Sequence, residues 1–158
     1  MNKINIDENI LDVVKPALEK KKKENGKPII VIKIGERIIS GKQTELITAP
    51  CSLIINTIKY LSNIPDDIPL LSPSILQPIL KLKKEMKSGN RLLLSEVLTA
   101  LSICSVTNPF VEKALSFIPR LKNAEAHSTY IITGKDKITL KELKINVTCE
   151  NEFLEEDI

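Results

Sequence analysis

The sequence has no tryptophan, two tyrosines and three phenylalanines, so aromatic residues make up only 3% of it. An interior built from this chain is therefore aliphatic, carried by Ile, Leu and Val. Single-strand nucleic-acid binding of the stacking kind lacks its platforms. Cysteine is scarce as well: Cys51, Cys104 and Cys149 are odd in number and far apart. That argues against a disulfide framework and for reduced thiols in a reducing compartment. No pair among these cysteines and His127, the one histidine, has the short spacing of zinc ligands, so no metal site is expected. No apolar run reaches the roughly 18 residues a membrane span needs, and no basic segment leads into an apolar stretch as in a signal peptide. The expectation is a soluble cytoplasmic protein that does not engage a membrane. The Asn146-Val147-Thr148 sequon then has no consequence.

Charge of one sign is also missing. The 23 basic and 20 acidic residues leave a net charge of +3, too balanced to announce a polyanion partner. The lysines at 20–23 read as a solvated helix end. Contact with nucleic acid through them and through the lysines between 81 and 87 is the weaker alternative, and nucleic acid is not the expected partner.

What is present is an ordinary globular balance, 42% hydrophobic and 27% charged over 158 residues, enough to bury a core without staples. Residues 4–24 read as helical, with Ile10, Val14 and Leu18 spaced by four, Leu11 and Ala17 widening the stripe, and Asp7 as a cap. Pro16 predicts a kink or two short helices, and Asn25-Gly26 a helix end. Pro28 opens a β-branched run over 29–34, Gly35-Glu36 makes a turn, and residues 37–40 return as the second arm of a hairpin. Residues 49–61 read as a buried helix with Pro50 in its first turn. Residues 69–72 suggest a short strand.

Ser72-Pro73 reads as a cap followed by a first-turn proline. It starts a helix to about residue 87 that places Ile75, Ile79 and Leu82 on one face. Pro78 should kink that helix or mark a restart, and Ser88-Gly89-Asn90 ends it. A helix over 94–106 follows, with Ser95 as its cap and Val97, Leu98, Leu101 and Cys104 as its stripe. Asn108-Pro109 starts another, to residue 117. A third strand is expected over 128–133, a turn at Gly134-Lys135-Asp136, a helical turn over 139–143 and a last strand over 145–149. The chain thus divides into a helical segment (1–26), an α/β domain (27–150) and a frayed acidic tail (151–158). The fold class is α/β, a layered mixed sheet made of a β-hairpin and two or three further strands, covered by helices.

Several residues suggest chemistry. His127 stands at the mouth of a strand, and Cys149 lies on a strand that could neighbour it. A thiolate nucleophile needs a base or a positive neighbour, so the two could form a dyad with Ser128 beside them. The plainer reading is a bonded histidine and a small buried thiol. Ser72 and Asn108 are explained as helix caps, but helix N-termini also bind anions; with Asn90 and Arg91 they are the candidate ligand-binding residues. Gly41-Lys42-Gln43-Thr44 lacks the glycine offset of a phosphate loop and reads as a hairpin exit. Asp66-Asp67 reads as a solvated pair.

A set of co-linear motifs carries a resemblance. Ile64-Pro65-Asp66-Asp67 leads to Leu71-Ser72-Pro73-Ser74-Ile75-Leu76-Gln77-Pro78-Ile79 and Gly89-Asn90-Arg91. Glu96-Val97-Leu98-Thr99-Ala100-Leu101-Ser102-Ile103 and Thr107-Asn108-Pro109 follow. Leu121-Lys122, Glu125-Ala126-His127-Ser128 and Leu143-Lys144-Ile145-Asn146-Val147-Thr148-Cys149-Glu150 complete the set. From about Lys27 to Glu150 the chain resembles the C-terminal part of a bacterial family called "domain of unknown function 1846". The resemblance implies an α/β subdomain of cytidine-deaminase-like topology, from members about three times as long. It does not imply deaminase chemistry: the His-x-Glu and Pro-Cys-x-x-Cys that hold zinc are absent. It brings no established reaction, and no cofactor is expected. Where the family tends to carry His-Thr-Asp-Glu this chain has Leu93-Leu94-Ser95-Glu96, and Ala124 replaces a cysteine. The expected function is a non-catalytic structural or interaction domain, packing on a partner domain or on its own copy. The alternative is a small-ligand-binding or enzymatic domain with a pocket near His127.

Overall fold

The computed structural model describes residues 14, 16–19, 28–132 and 134–149. Most of the predicted N-terminal helix, its end at Asn25-Gly26 and the acidic tail lie outside the described residues. Residues 14 and 16–19 are helical.

Four strands form one mixed sheet: β1 (Ile29–Ile34), β2 (Arg37–Lys42), β3 (Glu125–Ser128) and β4 (Asn146–Cys149), in the order β2-β1-β3-β4. The β-branched run makes β1 an inner strand. It pairs antiparallel with β2 through the Gly35-Glu36 turn, where Gly35 takes φ 59°. It also pairs antiparallel with β3, which in turn pairs parallel with β4. Five α-helices are described: α1 (Ala49–Leu61), α2 (Pro73–Glu85), α3 (Leu94–Cys104), α4 (Pro109–Leu115) and α5 (Gly134–Glu142), with a 3-10 turn at Ile118–Leu121.

Alternation along a strand sends successive side chains to opposite faces. Ile30 and Ile32 enter the main core beneath the helices, with Ala126 and Cys149. Ile29 and Val31 enter a small second cluster with Ala17, against which Ile38 packs. That split explains why β1 is apolar on both faces.

Four sequence expectations are corrected. Residues 69–72 form no strand. The third strand is Glu125–Ser128, not 128–133. Ser128 bends the chain out of the sheet: its hydroxyl donates to the Tyr130 carbonyl and accepts from the Tyr130 N–H at 3.1 Å, a local turn competing with the ladder. Thr129 keeps contact with β1, its hydroxyl accepting from the Ile29 N–H at 3.0 Å. The predicted turn at 134–136 is the first turn of α5, which is longer than the sequence suggested.

The fourth correction concerns α2. It runs unbroken through Pro78, and its buried face is Leu76, Leu80 and Lys83. Ile75 and Leu82, expected inward, face solvent, and Leu82 is 56% exposed. The two stripes are one residue out of phase, about 100° around the helix. Capping expectations also divide. The Asn108 side chain accepts from the Phe110 and Val111 N–H groups as a cap should. The Ser72 hydroxyl instead pairs with that of Ser74 at 2.7 Å, and α3 is capped from elsewhere, not by Ser95.

The hairpin and α1 meet at one glycine. A Cβ on Gly41 would collide with the Leu53 backbone and come within 2.8 Å of the Ala49 carbonyl. Backbone cannot yield as a side-chain tip can. Gly41→Ala is therefore expected to destabilise the fold by about 2 kcal/mol, read as a lowered urea midpoint, whereas Gly35→Asn in the turn should change it far less.

Candidate functional site

Three helix starts converge on one carboxylate. Asp136, in the first turn of α5, is buried. Its Oδ1 accepts the Leu94 N–H at 2.8 Å, so it satisfies a donor left over at the start of α3. Its Oδ2 accepts from the Thr48 hydroxyl at 2.7 Å, at the residue preceding α1. The Thr48 hydroxyl also lies 3.2 Å from Cys51 Sγ. Burial pushes the Cys51 thiol up to about 12, with the Asp136 charge adding to it and the Thr48 hydrogen bond opposing it. Tyr130 is likewise raised, first by burial and then by Asp136, Cys51 and Cys149. A thiol and a phenol held protonated in this way are poor nucleophiles and poor bases. The cluster fastens helices together.

A second polar knot lies beside it. Glu96 Oε1 accepts the Leu93 N–H at 2.8 Å, capping α3 in the role predicted for Ser95. The same oxygen is 2.7 Å from Lys83 Nζ, which also donates to the Arg91 carbonyl at 2.7 Å. Burial works against ionisation of Glu96, but the Lys83 and Leu93 hydrogen bonds and the Lys83 charge together hold its carboxyl below the ordinary value.

The residues singled out from sequence fall in different places. His127 is 1% exposed on β3, with Nδ1 2.6 Å from the Thr148 hydroxyl. The register sets His127 opposite Thr148 and Ser128 opposite Cys149. Alternation then sends His127 and Cys149 to opposite faces of the sheet, so the strands are adjacent but the side chains do not form a dyad. Ser128 is occupied by Tyr130. Of the helix-end residues, Asn108 caps α4, Ser72 is engaged with Ser74 and Asn90 is exposed. Arg91 Nε donates to the Thr44 carbonyl at 2.6 Å, and Arg91 lines a shallow cleft of about 360 Å³ with Gln43 and Thr44. These four side chains each serve a local bond or lie open, and no hydrogen bond joins one to another. Among the described residues no three His, Cys, Asp or Glu side chains come together as a metal site would need.

A larger cleft, of about 620 Å³, opens between the hairpin and the C-terminal half of α1. Arg37, Asn56, Lys59, Tyr60, Asn63 and Asp66 supply its polar lining. The Arg37 guanidinium stands 5.2 Å above the Tyr60 ring. Sequence reading missed this site, because its residues belong to a hairpin arm, a helix face and a loop that only the fold brings together. It missed Asp136 for the same reason, taking it for a turn residue.

The four-stranded sheet and the helices on it define a mixed α/β domain. The chain belongs to the family described as "Domain of unknown function DUF1846, C-terminal", which it matches over residues 9–158. It is 36% identical to a UPF0371 protein of Clostridium tetani and 39% identical to one of Clostridium botulinum, in each case over 100% of this chain and 34% of the relative. It is 37% identical to a UPF0371 protein of Clostridioides difficile over 97% of this chain and 32% of that protein. The chain thus spans about a third of the length of these relatives. No helix among the described residues is long and apolar enough to cross a membrane.

Two outcomes test the knots. Asp136→Ala leaves the Leu94 N–H without its acceptor and opens the joint between α1, α3 and α5. It is expected to cost about 2–4 kcal/mol by chemical denaturation. Because the folded Glu96 carboxyl lies below its ordinary value of 4.5, its contribution is present above that pH and is lost as pH falls through the folded value. Glu96→Gln should therefore flatten the decline in stability below about pH 4.5, seen by comparing urea midpoints of the two proteins across that range.

Proposed function

We propose that this chain is a non-catalytic interaction domain that seats on the remaining part of a longer chain of the UPF0371 kind. The observation that carries the reading is the outer stripe of α2. Ile75, Ile79, Leu82 and Met86 recur at helical spacing, yet the core takes the neighbouring stripe Leu76, Leu80 and Lys83. Met86 is 61% exposed, and Ile79 is partly buried. A helix that is apolar on a second, solvent-facing stripe has a surface fit for a partner. A further apolar corner, Ile103, Val106 and Phe110, stands exposed where α3 turns into α4. The occupant is assigned from length: relatives matched over the whole of this chain carry about twice as much again. Asp136 and Glu96 are meanwhile engaged at helix starts.

The cytidine-deaminase-like topology belongs to this reading too. An antiparallel hairpin joined edge-on to parallel strands supports it. The alternative, a ligand-binding or enzymatic domain around His127, has in its favour only that His127 and Ser128 share one strand. The two clefts described above are lined by other residues.

Light scattering on the purified chain, alone and mixed with the separately produced remainder of a UPF0371 relative, tests the proposal. A defined one-to-one complex that Leu82→Asp and Met86→Asp weaken at least roughly tenfold is the expected result. A chain that stays monomeric and ignores that partner sinks the reading. Self-association through α2 would replace the assigned occupant with a second copy.

A further inference from the structure

The described residues contain two lysines that are more than nine-tenths buried, and they are treated differently. Lys83, 3% exposed, meets a carboxylate and a carbonyl, both at 2.7 Å. Lys59, 6% exposed, donates to the Asp66 carbonyl at 3.1 Å and makes no ion pair with a described residue. An ammonium has three N–H donors, and burying its charge without a counter-charge is costly. Position in the last turn of α1 gives Lys59 a favourable helix dipole, and the Asp66 bond fastens the following loop. Neither supplies an anion.

Lys59 lines the 620 Å³ cleft, and its neighbours there are mostly donors. Arg37 rises from the start of β2 and is held over Tyr60. Asn63 follows α1 in a left-handed conformation, φ 58°. Asn56 spends one N–H on the Ser40 carbonyl at 2.9 Å and has a second. Asp66 is the sole acidic residue in the lining, against two cations, and it is exposed.

We propose that this cleft binds a small oxyanion, the phosphate or carboxylate group of a small molecule, with Lys59 as its buried anchor and Arg37 as its outer clamp. The anion supplies the counter-charge Lys59 lacks, and charge-assisted hydrogen bonds are the strong ones. Arg37 presents a planar fork suited to two oxygens at once. The site stands apart from the docking reading, since it uses none of the α2 stripe.

The test follows the side-chain amide signals of Asn56 and Asn63 by NMR in the full chain. Inorganic phosphate is titrated in one arm and succinate in another, with sodium chloride at matched ionic strength as control. The expected result is a saturable shift confined to the cleft with an affinity on the order of 1 mM, and the arm that saturates first names the group. Lys59→Met should weaken it by roughly tenfold, the worth of one charge-assisted bond, with the backbone spectrum elsewhere retained. Arg37→Gln, at an exposed position, should weaken it severalfold and decides the matter where the Lys59 variant does not fold. No saturation in either arm, equal shifts with chloride, or unchanged affinity in Arg37→Gln and in a folded Lys59→Met overturns the site.

Discussion

The bond pair made by Asp136 is the joint on which the arrangement of helices depends. A helix start leaves N–H groups that water normally satisfies; when the start is buried, something in the protein must replace that water. Here one carboxylate does so for α3, through the Leu94 N–H, while holding the Thr48 hydroxyl at the start of α1. The acid lies in the first turn of its own helix, where negative charge is favoured. Remote stretches of sequence, near 48, 94 and 136, are thereby fixed to one another. Burial raises the thiol of Cys51 and the phenol of Tyr130 beside it, and the Asp136 charge adds to both shifts.

Much of the element order was legible because it depended on local signals. The β-branched run at 29–34, the glycine turn after it, and the helix over 49–61 with its early proline each had one strong reading, and the structure agrees with each. The Asn108 cap was legible for the same reason. Readings failed where two local signals competed and tertiary contact chose between them. The stretch 128–133 is rich in β-branched and aromatic residues, yet the Ser128 hydroxyl captures the backbone of Tyr130 and ends the strand. In α2 two apolar stripes lie side by side. Nothing local chooses between them: the core took the one ending in Lys83, whose ammonium reaches Glu96 at the start of α3.

The candidate chemistry was less legible, for a reason that registers make clear. The strands of His127 and Cys149 are adjacent, as their pattern suggests, but pairing sets Thr148 rather than Cys149 opposite the imidazole. A shift of one residue decides which face a side chain occupies, and sequence pattern does not set that shift between strands separated by a whole helix. The hairpin–α1 cleft was illegible for a complementary reason. Arg37, Lys59 and Asn63 are each unremarkable in their own segment and acquire meaning only when β2 lies against α1. Gly41 permits that approach, since any larger residue would strike the Leu53 backbone.

The two buried lysines state the constraint in its sharpest form. A fold can bury a cation for its own sake when it supplies an anion, as it does for Lys83, whose partner also caps a helix. Such a pair is explained by architecture alone, and breaking it strands a charge. Lys59 has the stem of a core residue and a head with a single neutral acceptor. Architecture accounts for the stem and for one donor, and it leaves the charge over. An uncompensated ammonium at the wall of a donor-rich cleft differs from one on an open surface, where water would solvate it at no cost to the fold. Here an arriving anion supplies the counter-charge that the single neutral acceptor does not.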